Sequence, residues 1–268
     1  MSDDHYIPDP KNAHIDTSRL EAELLSLIKK SRSERATCFD QMFERLTQDI
    51  KKRPAEPDDD QIIGRFLSTT KFAWFCSSWS LRYSRPSQFE DRFECVLPED
   101  YANAALRALN ETSGGRALAV PICDAWSRFL ATMADHWLIS CWTLIDSHHD
   151  DYLLWHKYAG GETGVGITVR YGVLKECLTE NRNAGPIPIG GLVDYGNNLL
   201  NMPFNKRPIF RNEKEVRFAK NFQERLLAVE STSVNEISDQ FRLRFAPDAP
   251  DHHRKAVEHI WTACGGKF

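Results

Sequence analysis

Leu153 to Val169 reads LLWHKYAGGETGVGITV, and the fold class turns on this stretch. Leu154, Trp155 and Tyr158 fall at helical spacing, so the first half predicts a short amphipathic helix. Gly160 and Gly161 end it, because glycine tolerates the left-handed conformation at a helix terminus. Val165 to Val169 then runs as a β-branched strand around Gly166. A helix that turns on glycines directly into a strand is the pattern of a chain that mixes both structures. The stretch carries no catalytic motif of its own.

Upstream, Trp137 to Leu144 (WLISCWTL) predicts a buried strand, followed by a polar loop, Ile145 to Asp151. IIGRFLSTT from Ile62 and FAWFCSS from Phe72 read as short strands or as a strand followed by a helix. Ser84 to Cys95 reads as a loop anchored by Phe89 and Phe93, with Glu90, Asp91 and Glu94 facing a cleft or solvent. Helices are expected over Pro98–Asn110 and Ile122–Ala134. Downstream, a helix is expected over Val173–Glu180, a strand over Gly191–Tyr195 and a helix over Gln223–Phe245.

Residues 1 to 16 are polar with two prolines, and two amphipathic helices are expected near Leu20–Ile28 and Ala36–Ile50. Lys51 to Asp60 (KKRPAEPDDD) is a charged, proline-broken linker. The predicted division is a polar tail and helical pair over 1–60, an α+β core domain over 61–222, and a C-terminal helical segment over 223–268 that packs on the core. The expected fold is α+β, with a central mixed or antiparallel sheet flanked by helices. The N-terminal helices pack on the core or offer a surface to a partner.

The totals exclude several classes. With 41% hydrophobic and 27% charged residues, the chain of 268 is an ordinary globular composition. A net charge of −4 and a pI near 6.2 argue against a dedicated nucleic-acid binder. No apolar run reaches the roughly 18 residues of a membrane span, and the acidic start lacks the form of a secretory signal. The seven cysteines contain no CxxC pair, which predicts reduced thiols, no zinc site and a cytoplasmic location.

Six stretches carry a resemblance. They are RFLS (Arg65–Ser68), FEDRFE (Phe89–Glu94), ISCWT (Ile139–Thr143), LLWHKYAGGETGVGI (Leu153–Ile167), VDY (Val193–Tyr195) and EKEVRF (Glu213–Phe218). In their order, and over roughly residues 60 to 222, the chain resembles the bacterial domain-of-unknown-function family numbered 2971. Trp155, Tyr158, Gly164 and Val165 match its Trp-x-x-Tyr and downstream Gly-Val. Glu90 and Arg92 stand where the family pattern has asparagine and proline. The resemblance implies no reaction type.

A second likeness centres on Glu213-Lys214-Glu215 with Arg217. On a strand, residues two apart share a face, so both carboxylates and Arg217 are expected to point together. The pair resembles the Glu-x-Glu of ADP-ribosyltransferases, and the fold would then be ADP-ribosyltransferase-like. The resemblance implies NAD as a substrate, with no prosthetic group. It places Glu215 on the ribose, Glu213 on the acceptor, Arg65 on phosphate and Ser77 or Ser78 behind the glutamate. Trp155 or Tyr158 would stack on a ring. It implies a toxin or defence effector, with the acceptor, protein or nucleic acid, left open. The plain structural reading of the same residues is a charged strand with a Glu215–Arg217 interaction.

Two other classes compete. A non-enzymatic module would hold a small ligand or a protein in an aromatic cleft with Trp155 and Tyr158. A metal-dependent nuclease would gather Asp91, Glu94, Glu213 and Glu215 around an ion. His148, His149, Asp150 and Asp151 read as a solvated loop, and His156 as a structural histidine. Cys141, in an apolar strand, reads as a buried thiol rather than a nucleophile paired with His156.

Overall fold

The computed structural model describes residues 54–89, 91, 134, 136–145, 152–180, 187–195, 203–221 and 231–268. The chain divides into two units, residues 1–45 with 96–133 and residues 46–95 with 134–268. Every described residue belongs to the second. The helices expected over 20–50, 98–110 and 122–133, and the loop at 146–151, lie outside the described residues.

The fold is α+β, as the sequence predicts, and the sheet is antiparallel throughout. Strands β1 (Ile62–Leu67), β2 (Ser80–Arg82), β3 (Trp137–Ile145), β4 (Val165–Arg170), β5 (Ile189–Leu192), β6 (Glu215–Asn221), β7 (Ser231–Ser233) and β8 (Arg242–Phe245) form two sheets. Six of them make one open sheet in the order β5-β6-β3-β1-β4-β8, and β2 pairs with β7 in a second. Every adjacent pair runs antiparallel.

Strand alternation assigns the two faces of the large sheet. One face carries Ile63, Leu138, Trp142, Ile167, Val169, Val216 and Phe218 into the main core. Helices α1 (Thr69–Ser78), α2 (Tyr171–Glu180) and α3 (Asp251–Ala263) supply its other half. Phe72 stacks on Trp261 at 6.1 Å between ring centres, and Trp79 tilts against the same indole at 5.2 Å. Ser68 caps α1, accepting from the Lys71 N–H, which settles Ile62–Ser78 as strand then helix.

Among the described residues the opposite face has two smaller apolar clusters. Phe66, Leu154, Trp155 and Ala159 form one; Ile139, Phe204, Ala219 and Ala134 form the other. Between them lie Cys141, Thr143, Glu215 and Arg217, paired across β3 and β6.

Three expectations need correction. Residues 231–245 hold β7, a 3-10 segment (Asn235–Gln240) and β8, not a helix. There β8 extends the sheet along β4, and edge pairing overrides local helical spacing. Residues 54–60, the described part of the expected linker, form no helix or strand but are bound to the core rather than separate from it. Ala55 accepts from the Leu192 N–H at the β5 edge, and Asp59 accepts from the Gly172 N–H. The expected amphipathic helix at 153–158 is one short turn, Tyr152–Leu154, running into a π-helical turn, Trp155–Ala159. Its buried side is Leu154, Trp155 and Ala159, while Tyr158 stands partly exposed.

Candidate functional site

Glu213 and Glu215 converge by a route the sequence pattern does not describe. Glu213 closes a 3-10 helix, Pro208–Glu213, and only Glu215 is on the strand. Lys214 between them is left-handed, with φ of 43°. A non-glycine residue in that region is strained and is held there by its surroundings. Its carbonyl accepts from the Leu144 N–H, and its own N–H reaches Arg211. This bend brings both carboxylates to one ammonium: Lys206 Nζ lies 2.6 Å from Glu213 Oε2 and 2.9 Å from Glu215 Oε2.

Arg217 completes the inner half. Its Nε donates to Glu215 Oε1 at 2.9 Å and its second terminal nitrogen to Oε2 at 3.1 Å. Its other terminal nitrogen donates to the Pro203 carbonyl, and Phe89 lies against the guanidinium. Arg217 is fully buried and Glu215 nearly so. The Glu215 backbone N–H donates to the Tyr195 hydroxyl at 2.7 Å. Burial alone would raise the Glu215 carboxyl, but Arg217 and Lys206 outweigh it and hold it near a pKa of about 2. The Cys141 thiol also bonds this carboxylate; burial and the neighbouring negative charge push its pKa well up. That is an inert thiol, as the sequence reading has it.

Glu213 forms the outer half. Lys157 Nζ lies 2.6 Å from its Oε1, and the Tyr158 hydroxyl donates to the same oxygen at 2.8 Å. Both come from the π-helical turn, a local geometry that recurs at functional sites. Burial first, and then the Glu213 charge, raises the Tyr158 phenol, so it remains a proton donor. Beyond them Arg207 forms a two-point bond to Asp91, at 2.7 and 3.3 Å. Phe210 sits among the cations, with Lys157 at 4.6 Å, Lys206 at 4.9 Å and Arg207 at 5.2 Å from its ring centre. The arrangement sets two buried carboxylates side by side, Glu215 sealed inside and Glu213, 8% exposed, beneath a rim of Tyr158, Lys157 and Phe210.

The other predicted site residues are placed elsewhere. Arg65 lies on the main-core face, donating to Ser140 Oγ at 3.1 Å and to the Arg82 carbonyl. The sheet therefore separates it from Glu213 and Glu215. Ser77 and Ser78 are exposed on α1 and donate to the Trp74 carbonyl of their own helix. Trp155 is a core residue, edge-on to Phe66 at 4.8 Å, with no ring face open. His156 is exposed and its ring lies against Tyr152. Glu94 lies outside the described residues. The structure thus brings together Glu213, Glu215, Arg217 and Tyr158, and adds Lys206, Lys157, Arg207, Tyr195 and Phe210. Lys206, Arg207 and Phe210 stand together in the sequence as Lys206-Arg207-Pro208-Ile209-Phe210, but nothing in that run shows that it meets the carboxylates, and Lys157 and Tyr195 lie outside it.

No family model, curated protein or solved structure matches the chain, so the likenesses to family 2971 and to ADP-ribosyltransferases rest on the residues quoted above.

Proposed function

We propose that this chain takes a nucleotide-class ligand of the NAD type at the Glu213 rim and acts on it by ADP-ribosyl transfer or NAD cleavage. The observation that carries the reading is the convergence of two carboxylates on Lys206, with Glu213 also reached from the partly exposed turn that bears Tyr158. Cleavage of a nicotinamide–ribose bond develops positive charge on the sugar, and a fixed carboxylate in a water-poor site stabilises it. In this geometry the roles differ from those the motif implies. Glu213 is the carboxylate that meets the ligand, and Glu215 is the buried support that fixes Lys206. Arg65, Ser77 and Ser78 take no part.

A second reading, binding without chemistry, is favoured by one observation. Glu215 is already held by Arg217 and Lys206, and Glu213 by two lysines and a tyrosine. The nuclease reading has less support, because the Lys206 ammonium sits between the two carboxylates where an ion would be shared. Among the described residues no three His, Cys, Asp or Glu side chains are placed to hold a metal ion together.

Nicotinamide release from NAD, with and without cell lysate as a source of acceptor, tests the proposal. Wild type should release it, and Glu213→Gln should lose at least ~100-fold, the scale of one transition-state electrostatic contact. Binding of NAD with no release supports the second reading; neither binding nor release rejects both.

A further inference from the structure

The sequence motif assigned ligand phosphate to Arg65, which the sheet separates from the carboxylates. A phosphate-bearing ligand at the Glu213 rim needs cations on that side. Three are gathered there around one ring: Lys157, Lys206 and Arg207, each within about 5 Å of the Phe210 centre. We infer that these three side chains, seated on Phe210, form the cradle for the diphosphate of the ligand; the inference rests on the site reading above and names the part of the ligand held there.

Their placement fits that task. Lys206 is deep, with 8% of its side chain exposed, and forms a floor. Lys157 and Arg207 have 36% and 39% exposed and form two walls open to solvent. Each cation is oriented by a carboxylate: Glu213 holds Lys157, Glu213 and Glu215 hold Lys206, and Asp91 holds Arg207 in a fork. A cation fixed this way has lost its rotamer freedom before the ligand arrives, which lowers the cost of binding. Arginine recognises phosphate oxygens through a planar array of donors, and lysine adds a compact point charge. Phe210 fills the space beneath them and keeps the cations close through its ring face. The Tyr158 side chain, next to Lys157 in the turn, lies on the same rim and leaves the sugar of a nucleotide beside Glu213.

Calorimetric titration of the full chain with inorganic pyrophosphate tests this directly. Wild type should bind it, Lys157→Ala and Arg207→Ala should each weaken binding at least ~10-fold, and Lys157→Arg should retain it. Lys175→Ala serves as the charge-matched control, since Lys175, on the main-core helix α2, pairs with Glu56 and should change nothing. Circular dichroism of each variant establishes that it is folded. Absence of pyrophosphate binding by wild type, or binding by Lys157→Ala and Arg207→Ala as tight as that of wild type, overturns the inference. The two readings fail separately: pyrophosphate binding lost in both variants, with no NAD turnover, sinks only the NAD chemistry. NAD turnover with unchanged KM in both variants sinks only the cradle.

Discussion

Arg217 has no exposed surface, and what makes a buried guanidinium tolerable here is the two-point bond to Glu215. Removing one partner of such a pair strands the other, at a cost of ~3–5 kcal/mol. Arg217→Met should therefore lower stability on that scale in chemical denaturation, and a loss below ~1 kcal/mol would contradict the account. The same pair fixes a pH dependence. The Glu215 pKa is depressed from an ordinary 4.5 to about 2, so the stability it contributes is complete above 4.5 and drains away as pH falls through about 2. Acid unfolding of wild type should steepen in that window, and Glu215→Gln should lack that component; identical acid profiles would contradict it. At this scale the sequence was informative only in part. Two carboxylates and an arginine at alternate positions were legible, but only the Glu215–Arg217 bond follows from strand alternation; Glu213 arrives from the 3-10 helix. Lys206 was not, because nothing in the spacing of residues on a 3-10 helix and its lead-in shows that a lysine nine positions back meets the strand.

The turn from Tyr152 to Gly164 sets where Lys157 and Tyr158 point. Gly160 is left-handed at φ of 83°, as the helix-ending glycines predict, and the 3-10 turn Gly161–Thr163 closes onto Gly164. A Cβ on Gly164 would run into that of Ala159 and approach the carbonyls of Gly161 and Ala159 at 3.0 and 3.1 Å. Gly164→Ala should cost ~1–3 kcal/mol and displace the turn, lowering both melting temperature and any activity at Glu213. Unchanged stability would show that the turn yields. Elements with strong β-branched or aromatic runs, β3 and β4, were legible because burial on the sheet needs those side chains. The segment 231–245 was not. Its apolar residues, Val234, Ile237, Phe241, Leu243 and Phe245, suit a helical stripe, and only pairing with β4 makes the last of them a strand. The π-helical register was equally hidden, since Ala159 rather than Tyr158 takes the inward position.

Across the described molecule, the main core lies on one face of the sheet and the candidate site on the other. The C-terminal helix α3 closes the core: Trp261 is fully buried against Phe72 and Trp79, and the Trp79 indole donates to the Cys264 carbonyl. Trp261→Ala should cost ~3–5 kcal/mol, read by thermal denaturation, while leaving the carboxylate face intact. A loss under ~1 kcal/mol would mean that α3 is peripheral. The α+β class was legible because helical and strand periods both appear, but the separation of Arg65 from Glu215 was not. It depends on the parity of the register across β1, β3 and β6, which a single sequence does not display. The central claim is that ligand chemistry belongs to the Glu213 face. Hydrogen exchange on the full chain, with and without a non-cleavable NAD analogue, tests it most directly. The account predicts slowed exchange at residues 155–160 and 206–214, with none across 69–82. Protection confined to 69–82, or none anywhere at saturating analogue, would contradict it.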